Sequence, residues 1–317
     1  MHELINRYKR PLFSGVMIGL AVVAVLLMLS DLKGILRVFA GFNLRYLPII
    51  LILAPLNYVF RYIRWNYYLK LTALHPEARM NRLIFISGLS MAITPGKVGE
   101  LLKCYLLREH MKAPVSATSS IVMAERLSDA VALIILASFG ALAYNYGIYV
   151  LLVTFGILAA IVLFFRCDRL FRIFGALPEK RDFLHRCANF LLDFQQHAKR
   201  LFTLPSLLFA AGTGVISWGF EGLVIFLAMK AFGIEISILI SIFVVSFSSL
   251  VGALSFLPGG LGAAEVSIMA LLLLAGFEKD VAAATTLITR FSTLWLGVGI
   301  GIVGLYLVQK QLFKQEI

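Results

Sequence analysis

Charge is what this sequence has least of. Of its 317 residues, 15% are charged and 60% are hydrophobic, against about 25% and about 45–50% in soluble globular domains. A water-soluble enzyme or binding module would break its apolar residues up with charge, whereas here they run in stretches of roughly 20, the length that crosses a bilayer. Cysteine is scarce too: Cys104, Cys167 and Cys187 are odd in number and lack CxxC spacing, so neither a disulfide framework nor a zinc site is expected. The five histidines (His2, His75, His110, His185, His197) are scattered, and HExxH, GxSxG and a DxD-like pair are absent. These absences leave no catalytic constellation, metal or cofactor to assign. The opening MHELINRYKR leads into an apolar run without an A-x-A cleavage signal, so that run is expected to stay as a first span.

What is present reads as a single all-α, polytopic membrane domain over residues 1–317. Apolar windows predict six full spans, at 11–30, 46–60, 114–141, 147–165, 205–229 and 281–308. Two further apolar regions, 83–107 and 237–275, are interrupted by ITPGKVGE and FLPGGLGAAE. A helix over residues 83–94 would reach roughly 18 Å of a roughly 30 Å hydrocarbon core. Both regions are therefore expected to be re-entrant hairpins, broken at Pro95-Gly96 and at Pro258-Gly259.

The net charge of +12 follows from topology. Segments 1–10, 61–82, 97–112, 166–204 and 309–317 together carry +13, and the opposite side carries +1. By the positive-inside rule both termini are cytoplasmic in an inner (plasma) membrane. The basic excess is a set of orientation signals rather than a nucleic-acid surface. Two amphipathic stretches flank the spans. Residues 31–45 read as an interfacial helix with Leu32, Ile35, Leu36 and Phe39 on one stripe. The basic loop 166–204 either lies on anionic headgroups or docks a partner, such as a lipid-synthesis enzyme.

The chain also repeats. Pro95-Gly96 falls on Pro258-Gly259 at an offset of 163, Arg126 falls near Arg290 at 164, and Arg61 lies over Glu221. The units are 46–141 and 205–308, and the single span between them inverts the second. Inverted repeats with broken helices are an architecture of secondary transporters.

Six ionisable residues remain inside the spans: Glu125, Arg126, Asp129, Glu221, Glu265 and Arg290, with Lys97 and Glu100 in the first hairpin. Each costs several kcal/mol in a bilayer unless paired or facing a wet cavity, from about 2.5 upward. Glu125 and Asp129 share one helix face, and Arg126 is placed to pair with Asp129. Arg126 with Asp129 or Glu100, and Arg290 with Glu265, serve either as static ion pairs or as the lining of a polar path between the hairpin tips. After each break a half-helix starts, at Val98 and about Leu261, whose free N–H groups favour an anion such as phosphate. Glu100 and Glu265 could equally cap those helix ends. Arg61 and Arg64, among Tyr58, Tyr62, Trp65, Tyr67 and Tyr68, read as an interfacial aromatic belt suited to headgroup capture.

Three segments, GLSMAITPGKVGE (88–100), AERLSD (124–129) and FLPGGLGAAE (256–265), resemble the lysylphosphatidylglycerol synthase transmembrane region. That is the flippase-like part of the multiple peptide resistance factor, and the resemblance runs from about residue 11 to 308. It implies transfer of an anionic or aminoacylated phospholipid, or of a polyprenyl-linked lipid, between leaflets. The aminoacyl-transfer domain of that family is not in this sequence. Two other classes stay open: a lipid-modifying enzyme using Glu125 and Asp129 as acid and base, and a non-transporting partner subunit. Homo-oligomers fit any of the three.

Overall fold

A computed structural model describes residues 13–22, 32–94, 99–141 and 182–313, with isolated positions at 24, 152, 156, 160 and 163. The described residues are helical, with no strand among them. The helices in chain order are α1 (Phe13–Val22), α2 (Leu32–Ala40), α3 (Leu47–Leu71), α4 (Ala78–Leu89), α5 (Leu102–Met111) and α6 (Val115–Ala141), then α7 (Asp182–Leu201), α8 (Leu204–Ala231), α9 (Ile238–Leu254), α10 (Ala263–Leu274), α11 (Lys279–Arg290) and α12 (Leu296–Phe313). Three segments are long and apolar enough to cross a membrane: Leu44–Leu71, Leu204–Ala231 and Lys279–Gln311. Helix α6 has 27 residues, long enough to span, but it carries three ionisable residues at its middle. The predicted span 147–165 and most of 23–31 lie outside the described residues.

Chain punctuation sets the helix ends. Thr203 in extended backbone and Pro205 in the first turn start α8, and Gly233 at φ 75° stops the turn that follows it. The Ser237 hydroxyl accepts the Leu239 N–H and starts α9. Sequence reading placed the end of α3 at residue 60, because Arg61 and Arg64 read as an exit into water. The helix instead continues to Leu71, since both arginines find partners inside the protein.

Small residues carry the packing, as they must where lipid offers no hydrophobic drive between helices. Ser206, Ala210, Gly214 and Ser217 recur at helical spacing on the buried face of α8. On α12, a Cβ at Gly301 would overlap the Ser90 backbone and one at Gly304 would press on Ile86, so these glycines let α12 lie against α4. The contacts are reciprocal. The first long helices, α3 and α8, pack on each other, α12 packs on α4, and α6 packs on α9. Each half's last helix thus holds the other half's hairpin arm.

The hairpin arms are α4, continued by a 3-10 turn at Ser90–Ile93, with α5, and α9 with α10. The second break adjoins the end of the first arm: a Cβ on Gly259 would stand 3.3 Å from the Ile93 Cα. The amphipathic stretches also turn inward. Ile35 of α2 is buried while Leu36 is exposed, and Ala198, Leu201 and Phe202, in and just after α7, are buried on the side where α7 packs against α6. The C-terminal end of the apolar stripe of α7 therefore packs on protein, while Phe190 earlier in the helix is exposed.

Candidate functional site

Helix α3 builds one wall of the site. Asn57, Arg61, Arg64 and Tyr68 recur at spacings of four, three and four, which places them on one face. Asn57, Arg64 and Tyr68 are fully buried. Gly214 makes the room: a Cβ there would stand 3.2 Å from Arg64 Nη1.

Asp129 of α6 is the hub. Its Oδ1 accepts from Arg64 Nη2 at 2.5 Å and from Trp218 Nε1 at 3.3 Å. Its Oδ2 lies 3.1 Å from Arg126 and 3.5 Å from Arg61, without hydrogen-bond geometry to either. Arg126 reaches back to Glu100 at 3.1 Å, joining α6 to the first hairpin. The Nε atoms of Arg61, Arg64 and Arg126 are buried with no hydrogen-bond partner among the described residues. One carboxylate is therefore shared by three guanidiniums that keep spare donors.

A cavity of about 280 Å³ opens beside this hub. Arg61, Arg126, Asp129, Glu221 and Arg290 line it, with Tyr58, Trp218 and the second break at Gly259–Gly260. Glu221 accepts from Asn57 Nδ2 at 2.7 Å, and Ser217 donates to Asn57 Oδ1 at 2.8 Å. Tyr58 donates to the Thr293 carbonyl at 2.7 Å. That carbonyl belongs to a π-helical turn, Phe291–Trp295, linking α11 to α12. Arg290, the residue before the turn, binds Glu265 Oε1 at 2.6 Å and the Gly259 carbonyl at 2.9 Å. Turns of this kind are frequent at functional sites.

Set against the sequence reading, the structure gathers Arg61, Arg126, Asp129, Glu221, Arg290 and Gly259 at one cavity, with Glu100 and Glu265 one ion pair away. Three expectations change. Arg61 and Arg64 do not splay out as a surface pair, because both reach Asp129 inside the protein, Arg64 fully buried and Arg61 at the cavity wall. The second half-helix starts at Ala263 rather than Leu261, since Gly260 and Gly262 hold φ of 65° and 86°. One of its N–H groups is also taken, because Gly262 donates to Glu265 Oε2 at 2.7 Å, so of the two alternatives left open there the structure has Glu265 as a cap. Finally, Glu125 and Asp129 serve different cations. Glu125 accepts from Lys103 Nζ at 2.5 Å, Lys103 sits over the Trp65 ring at 4.4 Å, and Glu125 does not line the cavity.

Pro95, Gly96, Lys97 and Val98 lie outside the described residues, though Thr94 Oγ1 accepts from Gly99 N across the gap at 2.9 Å. Pro258 opens the 3-10 turn of the second break. Sequence reasoning missed Lys103, Asn57 and Trp218, and read Tyr58 only as part of an aromatic belt. The spacing of polar residues along 57–68 was the signal that could have found Asn57. Around the cavity and the first hairpin, Arg61, Arg64, Lys103, Arg126 and Arg290 stand against Glu100, Glu125, Asp129, Glu221 and Glu265, while Lys199, Lys230 and Asp280 are half-buried elsewhere. The apparent acidic remainder in the spans thus becomes a balanced set once the interior cations Arg61, Arg64 and Lys103 are counted with it together with Glu100. No group of three or more His, Cys, Asp or Glu side chains among the described residues could hold a metal ion.

Comparison with known proteins places the chain. Residues 16–301 match the family described as the lysylphosphatidylglycerol synthase TM region, and the chain belongs to that family. It is similar to a UPF0104 membrane protein of Methanocaldococcus jannaschii, 27% identical over 71% of this chain and 96% of the relative. A UPF0104 membrane protein of Pyrococcus horikoshii is 24% identical over 90% of this chain and 94% of the relative. Membership and the apolar helices establish a membrane protein of a lipid-related family.

Proposed function

We propose that this protein is a lipid translocator. It carries an anionic or aminoacylated phospholipid, or a polyprenyl-phosphate-linked lipid, between the leaflets of the inner membrane by alternating access, with both termini cytoplasmic. The observation that carries the reading is the cavity whose guanidiniums keep unpaired donors. Buried donors cost free energy unless something accepts from them, and a phosphate oxygen is the acceptor best matched to a guanidinium fork. Arg61 and Arg126 hold that anion, while Glu221 and Asp129 face any cationic substituent on the same headgroup.

Alternating access draws support from the reciprocal packing of the halves and from the meeting of the second break with the end of the first arm at Ile93. Taken as an inverted repeat, the halves can rock about the cavity and expose it to either side in turn. Arg126 takes part in the motion, because it links the first hairpin to α6 through Glu100 and Asp129.

Reconstitution into liposomes with labelled phosphatidylglycerol or polyprenyl phosphate tests this. Wild type should accelerate leaflet exchange, and Arg126→Ala should lower the rate at least ten-fold. No acceleration by wild type with any of these lipids, or an Arg126→Ala rate equal to wild type, overturns it.

A further inference from the structure

A second space lies behind Arg290. It measures about 200 Å³ and is bordered by α1 (Gly19, Val22), the second break at Leu261, and α11 with its π turn (Leu287, Phe291, Trp295). Arg290 lines both this side pocket and the central cavity, and Glu265 lines the side pocket. The Arg290–Glu265 pair therefore stands as a partition between them. Three polar links fix it to the second break: Arg290 to Glu265, Arg290 to the Gly259 carbonyl, and the Gly262 amide to Glu265.

The chemistry changes across the partition. On the cavity side are three guanidiniums and two carboxylates. Beyond it the wall is mostly apolar, and Leu287 and Phe291 also border a third, almost wholly apolar space of about 320 Å³ against Phe39, Phe42 and Leu47. Phe291 is 61% exposed, which opens this track toward the bilayer. A lipid whose headgroup sits among the arginines must keep its tails out of that charged space, since ions stripped of water or polar partners are costly.

We propose that the alkyl chains of the translocated lipid leave the central cavity through the side pocket, and that the Arg290–Glu265 pair is the gate between the two. The inference rests on the translocator reading. When Arg290 turns to the headgroup anion it lets go of Glu265, so arrival of the headgroup itself opens the way for the tails.

Val22→Trp, and independently Leu287→Trp on another helix, fill the side pocket while leaving every arginine and Glu265 in the sequence. Each is compared with wild type for exchange of whichever labelled lipid wild type moves, and for calorimetric binding of glycerol phosphate, a headgroup without tails. The expected result is at least a ten-fold loss of exchange with glycerol phosphate affinity kept within two-fold. Normal exchange in both folded variants overturns the tail route and leaves the translocator reading standing. Loss of glycerol phosphate binding along with exchange also overturns it, because the two spaces would then not be separable. A wild type that moves no lipid fails at the earlier step and removes the premise.

Discussion

Replacing Asp129 with asparagine keeps the shape of the side chain and one oxygen for Arg64 and Trp218, but it removes the only carboxylate common to three guanidiniums. The nearest contacts are 2.5, 3.1 and 3.5 Å, and the side chains are at most 23% exposed. At an effective permittivity of about 20, unit charges about 4 Å apart attract by about 4 kcal/mol. Much of that offsets desolvation, and removing one partner of a buried pair has a net cost of about 3–5 kcal/mol. The upper part of that range is expected, because the arginines then repel one another across the space the carboxylate had bridged. Equilibrium unfolding in one mild detergent, followed by Trp218 emission in a background with Trp65→Phe and Trp295→Phe, reads both the loss and its place, since Trp218 donates to the same carboxylate. Adding Arg61→Gln to Asp129→Asn should restore part of the loss by removing an unbalanced cation. If Asp129→Asn lies within about 1 kcal/mol of wild type, or the second substitution destabilises further, the shared-carboxylate reasoning is wrong.

Lys103→Met should cost about 3–5 kcal/mol by leaving Glu125 buried and unpaired, and Lys103→Met with Glu125→Leu should recover most of it, in the same unfolding assay. Gly301→Ala should destabilise by about 1–3 kcal/mol through overpacking against Ser90. Gly299→Ala, whose Cβ would meet nothing within 4 Å, should stay within about 0.5 kcal/mol, and equal values for the two would refute the close-packing account. Asn57→Leu should lower stability by about 1–3 kcal/mol, because Glu221 loses a buried donor. A coupling near zero in a cycle with Glu221→Gln would show that the bond contributes nothing.

The extents of α6 and α8 were legible in the sequence because apolar residues run on both sides of their few charges for the length of a long helix. The second break was legible because proline followed by glycines with positive φ stops a helix locally. The true length of α3 was not legible. A hydropathy window treats Arg61 and Arg64 as the edge of water, and their carboxylate lies 65 residues from Arg64 in sequence. The charged cavity was half legible. Local spacing pairs Arg126 with Asp129, but only the fold brings Glu221, on another long helix, to the same space. Lys103 was missed for the same reason, since a lysine on a short amphipathic arm looks exposed until an aromatic pocket closes over it.

The exchange of hairpin arms between the halves also sets a timetable for biosynthesis. Arm α4 finds its glycine-lined seat only when α12 emerges, about 200 residues later, which at about 5–20 residues per second is a wait of about 10–40 s. Through that interval the first arm, with Lys103 and Glu100, has to wait for its lasting neighbour. The ion pairs local to the first half, Lys103 with Glu125 and Arg126 with Glu100, are available to hold it there. Those contacts serve the nascent chain before they serve any substrate.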